Sequence, residues 1–195
     1  GAANLDELNR QHAKIVDALY AIDADVYGLV EIEQGQAALT KLVQALNAKS
    51  ATNNYTFIND GGTSTSSFTK AAYLYRSDKV SPVGNLTNIN TIVSNRKKIQ
   101  GFELKSNKEK FMFSINHFKA KSGCNNASGK DADQDDGQSC YNYSRVQEAN
   151  AVINAINAGK ASYGTENVWI MGDLNAYAKE DPIQAFVNKG YVDLQ

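Results

Sequence analysis

Three apolar runs in the sequence end in polar side chains that could carry out chemistry. Glu31 follows the first run, His117 ends the second, and Asp173 and Asn175 follow the third. An ionisable group at the end of a buried strand is held rigidly and is poorly solvated, which suits a metal ligand or a general acid or base. Carboxylate and amide oxygens beside one imidazole favour a hard cation such as Mg²⁺, Mn²⁺ or Ca²⁺ over Zn²⁺. The alternative is that each residue simply ends a strand and begins a loop.

The helices that would support these residues follow from the spacing of the apolar side chains. Helical spacing over 5–22 and over 36–48 predicts two amphipathic helices near the start of the chain. A third helix is predicted after Cys140, where apolar residues return to the same spacing. Asp181 followed by Pro182 is a favourable beginning for a short last helix.

Strand-like runs occupy the middle of the chain and lead to the candidate residues. The predicted strands are 26–30, 55–58, 71–75, 98–104, 110–117 and 167–171. The segment 61–67, which is rich in Gly, Ser and Thr, is predicted to form a hairpin tip. Helices toward both ends and an antiparallel-looking block between them indicate an α+β or mixed α/β protein in which helices cover sheets.

The composition bounds the size of the fold and excludes some functions. A chain of 195 residues, 42% of them hydrophobic, suits one domain with a buried core. Lys and Arg number 20 against 21 Asp and Glu, so the net charge is -1 and there is no overall positive field to indicate a nucleic-acid binder. No apolar run approaches the ~20 residues that cross a bilayer, and the chain does not open like a secretory signal peptide.

The only two cysteines, Cys124 and Cys140, flank a polar loop. Two cysteines are too few for a structural zinc site, which usually has four ligands. A disulfide is the favoured interpretation and would place the protein in an oxidising compartment. Closing a loop of this length contributes roughly 3 kcal/mol to stability. Two unpaired thiols in a cytosolic protein are the alternative.

The polar segments resemble those of a known superfamily. The segment 172–175, Gly-Asp-Leu-Asn, matches the Gly-Asp-(Leu/Phe/Met)-Asn motif of the endonuclease/exonuclease/phosphatase superfamily. Glu31 falls where that superfamily keeps its metal-binding Glu, and Asn-His-Phe-Lys at 116–119 resembles its central His segment. Longer strings at 10–16, 124–140 and 175–183 resemble bacterial extracellular nucleases. The resemblance covers essentially the whole chain, in the same order.

The resemblance implies both an architecture and a reaction. The architecture is a single domain over 1–195 built as a four-layered α/β/β/α sandwich, with two mostly antiparallel sheets packed face to face and helices outside. The reaction is hydrolysis of a phosphodiester by attack of water at phosphorus. The implied enzyme is a divalent-metal-dependent phosphodiesterase, foremost a secreted deoxyribonuclease or endonuclease.

The resemblance also implies a role for each candidate residue. Glu31 would hold the divalent cation, Mg²⁺ first and Mn²⁺ or Ca²⁺ as alternatives. Asp173 would orient or deprotonate the attacking water, and Asn175 would hydrogen-bond the phosphate or Asp173. His117 would protonate the leaving group or bind a phosphate oxygen.

Two arginines are candidates for contacts with the phosphates of DNA, which the resemblance favours over RNA. Arg96 and Arg145 qualify because a guanidinium matches two phosphate oxygens at once. For each of them, the alternative is an ordinary solvated or ion-paired side chain. Contacts to the phosphate backbone would position a nucleic acid without reading its sequence.

Two parts of the superfamily pattern have no counterpart in this sequence. Members begin with a strand that ends in Asn and finish with an Asp-His pair, whereas this chain starts at the following helix and ends at residues 193–195. We therefore expect the domain to lack its first strand and its C-terminal strands, with the missing pieces in a longer polypeptide or another chain. We also expect weak or no hydrolase activity from the 195 residues alone.

Three functions compete at this point. The first is a nuclease secreted by a bacterium, or held in its periplasm or on its surface. The second is a phospholipid or inositol-phosphate hydrolase of the same fold, which exposed apolar loops near the site would favour. The third is a non-catalytic binding module that kept the scaffold. The retained Glu31, His117, Asp173 and Asn175 argue against the module, and the absent terminal segments argue for it.

Overall fold

The computed structural model describes residues 2–61, 68–91 and 96–194. Within these ranges the elements, in chain order, are α1 (Leu5–Ile22), β1 (Val26–Glu33), α2 (Ala37–Ala48), β2 (Tyr55–Phe57), β3 (Thr69–Arg76), β4 (Val80–Asn88), β5 (Lys97–Leu104), β6 (Lys110–His117), α3 (Asn142–Tyr163), β7 (Val168–Asp173) and α4 (Asp181–Val187). The hairpin tip predicted at 61–67 lies, apart from its first residue, outside the described residues.

The strands form two sheets that pack face to face. One sheet has the order β1-β3-β2 and is antiparallel throughout, and the other has the order β4-β5-β6-β7, in which only the β6–β7 pair is parallel. Tyr73 and Ala71 of β3 pack against Phe102, Phe113 and Ile115 of the other sheet. This apolar layer between the sheets is the centre of the molecule.

The helices cover the outer faces of the two sheets. Apolar residues of α1 and α2 pack on the outer face of the first sheet, where Leu39, Leu42 and Leu46 are buried. Helices α3 and α4 pack on the second sheet through a separate cluster that includes Val152 and Phe186. The order helix, sheet, sheet, helix confirms the predicted four-layered α/β/β/α sandwich.

Strand β4 was not predicted, because its sequence lacks the regular apolar pattern of a strand. Pro82 and Gly84 interrupt it, and several of its side chains are polar. Its pairing with β5 shifts register between Val83 and Thr87, and β4 lies at the edge of its sheet. An edge position with a bulge is where a strand tolerates proline, because the missing N–H is not needed by a neighbour.

Helix α1 buries less of its apolar stripe than its periodicity predicts. Asn4 begins the helix by accepting a hydrogen bond from the backbone N–H of Glu7, and Val16 and Leu19 pack on the sheet. Other apolar side chains of the helix are exposed in this structure, namely Leu5, Leu8, Ile15 and Ile22. The apolar spacing therefore predicts the bounds of the helix correctly, but only part of its apolar face is covered by other described residues.

The cysteine loop is closed as expected. Cys124 and Cys140 form a disulfide, which confirms the favoured interpretation of the two cysteines. The loop between them contains two short 3₁₀ turns and leads directly into α3. Of the helices that the structure describes, none combines the length and hydropathy required to cross a membrane.

Candidate active site

Three of the predicted residues converge from three different strands. Nε2 of His117, on the last residue of β6, lies 3.8 Å from Oε1 of Glu31 on β1 and 3.9 Å from Oδ2 of Asp173 on β7. The two carboxylate side chains are 69% and 52% exposed, whereas that of His117 is 7% exposed. A buried imidazole flanked by two carboxylates at the surface thus forms the centre of the site.

The parallel pairing of β6 with β7 brings His117 and Asp173 to the same end of the sheet. His117 is aligned with Asp173, and Asn116 with Gly172. The two strands approach so closely here that an added Cβ on Gly172 would lie 1.9 Å from the carbonyl oxygen of Asn116. Gly172 also has a φ of +132°, which side chains disfavour. The glycine of the Gly-Asp-Leu-Asn segment is therefore required by the geometry of the strand pair.

Glu31 reaches the site from the other sheet by means of a bulge. The register of β1 against β3 shifts between Leu29 and Ile32, and Glu31 has a left-handed backbone with φ of +58°. A left-handed conformation in a non-glycine residue is uncommon and costs free energy, so it persists only where the surroundings enforce it. Asn175 is also left-handed, with φ of +47°. Asparagine adopts this conformation readily, so the backbone strain in this centre lies at Glu31.

The loop after β7 is tied to the loop after β6 by hydrogen bonds. The backbone N–H of Asn175 donates to Oδ1 of Asp173 over 2.9 Å, which fixes the carboxylate. The side-chain amide of Asn175 donates to the carbonyl oxygen of Phe118 over 3.1 Å, and the N–H of Phe118 donates to the carbonyl oxygen of Asp173. These bonds hold Asp173 and Asn175 at fixed positions beside His117.

The environment of His117 favours the neutral imidazole. Burial lowers the pKa of His117 below its ordinary value, and the positive charges of Arg96 and Lys97 lower it further, although the carboxylates of Asp173 and Glu31 oppose this. Nδ1 of His117 is buried and has no hydrogen-bond partner among the described residues. A neutral imidazole has one N–H to donate and one nitrogen to accept.

Solved structures of other proteins superpose on this chain over nearly its whole length. An endonuclease/exonuclease/phosphatase family protein from Bacteroides thetaiotaomicron superposes with a TM-score of 0.66 at 19% identity, covering 97% of this chain and 64% of that one. The chain has the endonuclease/exonuclease/phosphatase fold. A mannosyl-6-phosphatase from the same organism gives 0.63 at 19% identity, covering 97% and 67%. The catalytic domain of human Nocturnin with a bound sulfate anion gives 0.63 at 18% identity, covering 97% and 66%.

These likenesses concern the fold, because the identities are low. The chain spans about two thirds of the length of each of the three structures. No protein-family model matches the sequence, and no curated protein matches it.

The donor set at the strand ends is compatible with Mg²⁺ but does not enclose a metal. Among the residues that the structure describes, no three His, Cys, Asp or Glu side chains converge closely enough to hold a metal ion by themselves. Mg²⁺ usually keeps several waters and takes one or two carboxylates from the protein. Glu31 offers one exposed carboxylate, and Asp173 offers a second one near the same imidazole, that of His117. The oxygen donors therefore fit a largely hydrated cation.

The two predicted arginines occupy different environments. Arg96 precedes β5, its carbonyl oxygen accepts the N–H of His117, and its charge acts on that imidazole, so it belongs to the site. Arg145 is fully buried and donates to the carbonyl oxygens of Lys119, Gln138 and Cys140. This placement favours a structural role for Arg145, anchoring the cysteine loop, over a contact with phosphate.

One supporting group is absent from the sequence-based expectations. Glu148 of α3 is 1% exposed, accepts a hydrogen bond from Nζ of Lys97 over 2.7 Å, and accepts another from the backbone N–H of Lys119 over 2.7 Å. Glu148, which lies on a helix of the outer layer, thereby fixes the segment that contains His117 and Phe118. In the sequence, Glu148 lies among polar residues of a helix, and only the three-dimensional packing reveals that it faces inward.

Proposed function

We propose that this protein hydrolyses phosphodiester bonds in nucleic acid, foremost DNA, with a divalent cation held at Glu31. The observation that carries the proposal is the convergence of Glu31, His117 and Asp173 from three strands at one end of the sandwich. The left-handed backbone of Glu31 supports it, because this conformation is costly for a glutamate and accompanies the bulge that brings its carboxylate to the site.

Each residue can be given a task that its position allows. Asp173, whose carboxylate is exposed and fixed by Asn175, orients the attacking water and accepts its proton. His117 lies between the two carboxylates and donates a hydrogen bond to a phosphate oxygen or to the leaving group. The side chain of Asn175 braces the Phe118 carbonyl, and Arg96 adds positive charge near the phosphate. A cation bound at Glu31 would polarise the phosphate and offset the negative charge on the leaving oxygen.

One feature supports secretion, and another is compatible with a phosphate substrate. The Cys124–Cys140 disulfide is typical of proteins in oxidising compartments. The net charge of -1 does not oppose a phosphate substrate, because a cation at Glu31 and the nearby Arg96 supply positive charge locally.

We also propose that further polypeptide completes the sandwich beside the site. In the described part of the chain, β1 and β7 are edge strands of their sheets, and they contact each other, so both open edges lie on one side. Trp169 and Met171 of β7 are about half exposed there. The three superposed proteins are longer than this chain by about a third of their length. Additional strands would satisfy the open edges, which otherwise tend to pair with other chains.

Metal-linked stability tests the proposed centre independently of turnover. A ligand that binds only the folded state at ten times its Kd stabilises it by about 1.4 kcal/mol, which for a chain of this size raises Tm by roughly 3–6 °C. We expect this rise with millimolar Mg²⁺ and its loss in Glu31→Gln. Glu33→Gln is the matched control, since Glu33 is another exposed carboxylate on β1 and should leave the rise intact. No rise in the unaltered protein, or an equal rise in Glu31→Gln, would contradict the metal site.

A further inference from the structure

A group of lysines and tyrosines borders the candidate active site. Tyr177 is 78% exposed, and Nζ of Lys121 lies 4.5 Å from the centre of its ring. Nζ of Lys119 lies 3.9 Å from the centre of the Tyr141 ring. A tyrosine exposed to this degree gains little from burial, so its position beside Lys121 calls for another explanation.

The two loops that carry these side chains are the loops of the active site. Lys119 and Lys121 follow His117 closely, and Tyr177 lies two residues after Asn175. Tyr177 lies four residues after Asp173, and an extended chain covers at most about 14 Å in four residues. Because successive bases in a strand are stacked about 3.4 Å apart, the backbone of Tyr177 lies within about four nucleotides of a phosphate bound at Asp173. Asp173, Tyr177 and Lys121 also line one surface cavity.

The two lysines differ in their ion pairing. Lys121 forms a salt bridge with Glu180, whose carboxylate is mostly buried, so Lys121 is fixed over Tyr177. None of the ion pairs in the described part of the chain involves Lys119. Lys119 therefore carries a positive charge on the loop after His117 that no carboxylate of the described residues pairs with, and Lys121 is held beside the ring of Tyr177.

We propose that Tyr177 and Lys121 form a nucleotide subsite in which an unpaired base stacks on the tyrosine within a few nucleotides of the scissile phosphate, with Lys119 as a further positive charge on the loop after His117. An exposed aromatic ring combined with nearby cations is the arrangement that binds single-stranded nucleic acid without sequence preference. The inference rests on the proposed function and narrows its substrate to polynucleotides with unpaired bases. Phosphate esters that lack a base make no use of the ring.

Binding of oligonucleotides without metal separates the base from the phosphate. The probe is a fluorescein-labelled single-stranded deoxyoligonucleotide of about eight nucleotides, compared in EDTA with an abasic oligomer of the same length. Fluorescence anisotropy gives the Kd for each. We expect Tyr177→Ala to weaken binding of the base-containing strand by about 5- to 150-fold, the range that loss of one stacking contact produces. Binding of the abasic strand should change little, and Tyr177→Phe should bind like the unaltered protein.

Tyr20→Ala is the matched control. Tyr20 is also exposed, at 43%, but lies near the end of α1, which leads into the start of β1 and not into the site end of that strand. Unchanged binding of the base-containing strand by Tyr177→Ala, an equal loss on the abasic strand, or no binding by the unaltered protein would each overturn the subsite. Because Mg²⁺-linked stabilisation does not depend on Tyr177, its presence or absence reports separately on the proposed function.

Discussion

Replacing Gly172 by alanine perturbs the contact that sets His117 beside Asp173. The added Cβ would lie 1.9 Å from the carbonyl oxygen of Asn116, and the φ of +132° is itself unfavourable for alanine. Backbone strain of this kind costs about 1–3 kcal/mol, and overpacking a tight contact costs about 1–3 kcal/mol more. We therefore expect Gly172→Ala to lower the free energy of unfolding by about 2–6 kcal/mol.

Urea denaturation followed by tryptophan fluorescence measures this loss. Trp169, the single tryptophan, lies on β7 three residues before Gly172 and is half exposed, so its emission reports on the affected strand. Gly190→Ala is the matched control, because Gly190 has a φ of +90° but an added Cβ would meet nothing within 4 Å. The control should lose free energy of unfolding through backbone strain alone, about 1–3 kcal/mol. Equal losses in the two variants would refute the claim that β6 and β7 are held in such close contact.

Three further predictions concern two buried ion-pair networks and the disulfide. Glu148→Gln removes the charged partner of the buried Lys97, and we expect a loss of about 3–5 kcal/mol in urea denaturation; a loss below 1 kcal/mol would contradict the anchoring role. Asp60 forms a buried network of ion pairs with Lys70 of β3 and Lys98 of β5. Burial raises the pKa of the Asp60 carboxyl, but hydrogen bonds from the two lysines lower it more, below the ordinary 3.8. The stabilisation is present above that value and is lost as the pH falls below it, so Asp60→Asn should flatten the acid dependence of unfolding, whereas an unchanged dependence would count against the network. Reduction of the disulfide should lower stability by roughly 3 kcal/mol in urea curves with and without dithiothreitol, and coincident curves would show that the loop needs no cross-link.

The sequence predicted most elements because their apolar spacing is regular. Helix α1 was expected over 5–22 and occupies Leu5–Ile22, and strand β6 was expected over 110–117 and occupies Lys110–His117. Both have continuous patterns that no glycine or proline interrupts. Strand β4 has Pro82 and Gly84 within it, so local pattern could not distinguish it from a loop, and only its pairing with β5 makes it a strand.

The candidate site was predictable in its members but not in its supports. Glu31, His117 and Asp173 each follow an apolar run, and that local signal suffices to select them. Arg145 stands at the beginning of a helix, where a solvated guanidinium is the ordinary outcome, and its complete burial depends on how the cysteine loop folds over it. Glu148 gave no local signal at all, because its partners are distant in sequence.

Cleavage of a labelled oligonucleotide under single-turnover conditions tests the central claim most directly. With the 195-residue chain in excess over substrate, we expect slow cleavage that requires Mg²⁺, stops in EDTA, and is lost in Asp173→Asn. Glu166→Gln, which alters an exposed carboxylate paired with Lys160, should cleave like the unaltered chain. Cleavage that survives Asp173→Asn, or proceeds equally in EDTA, would contradict an active centre built from the ends of β1, β6 and β7.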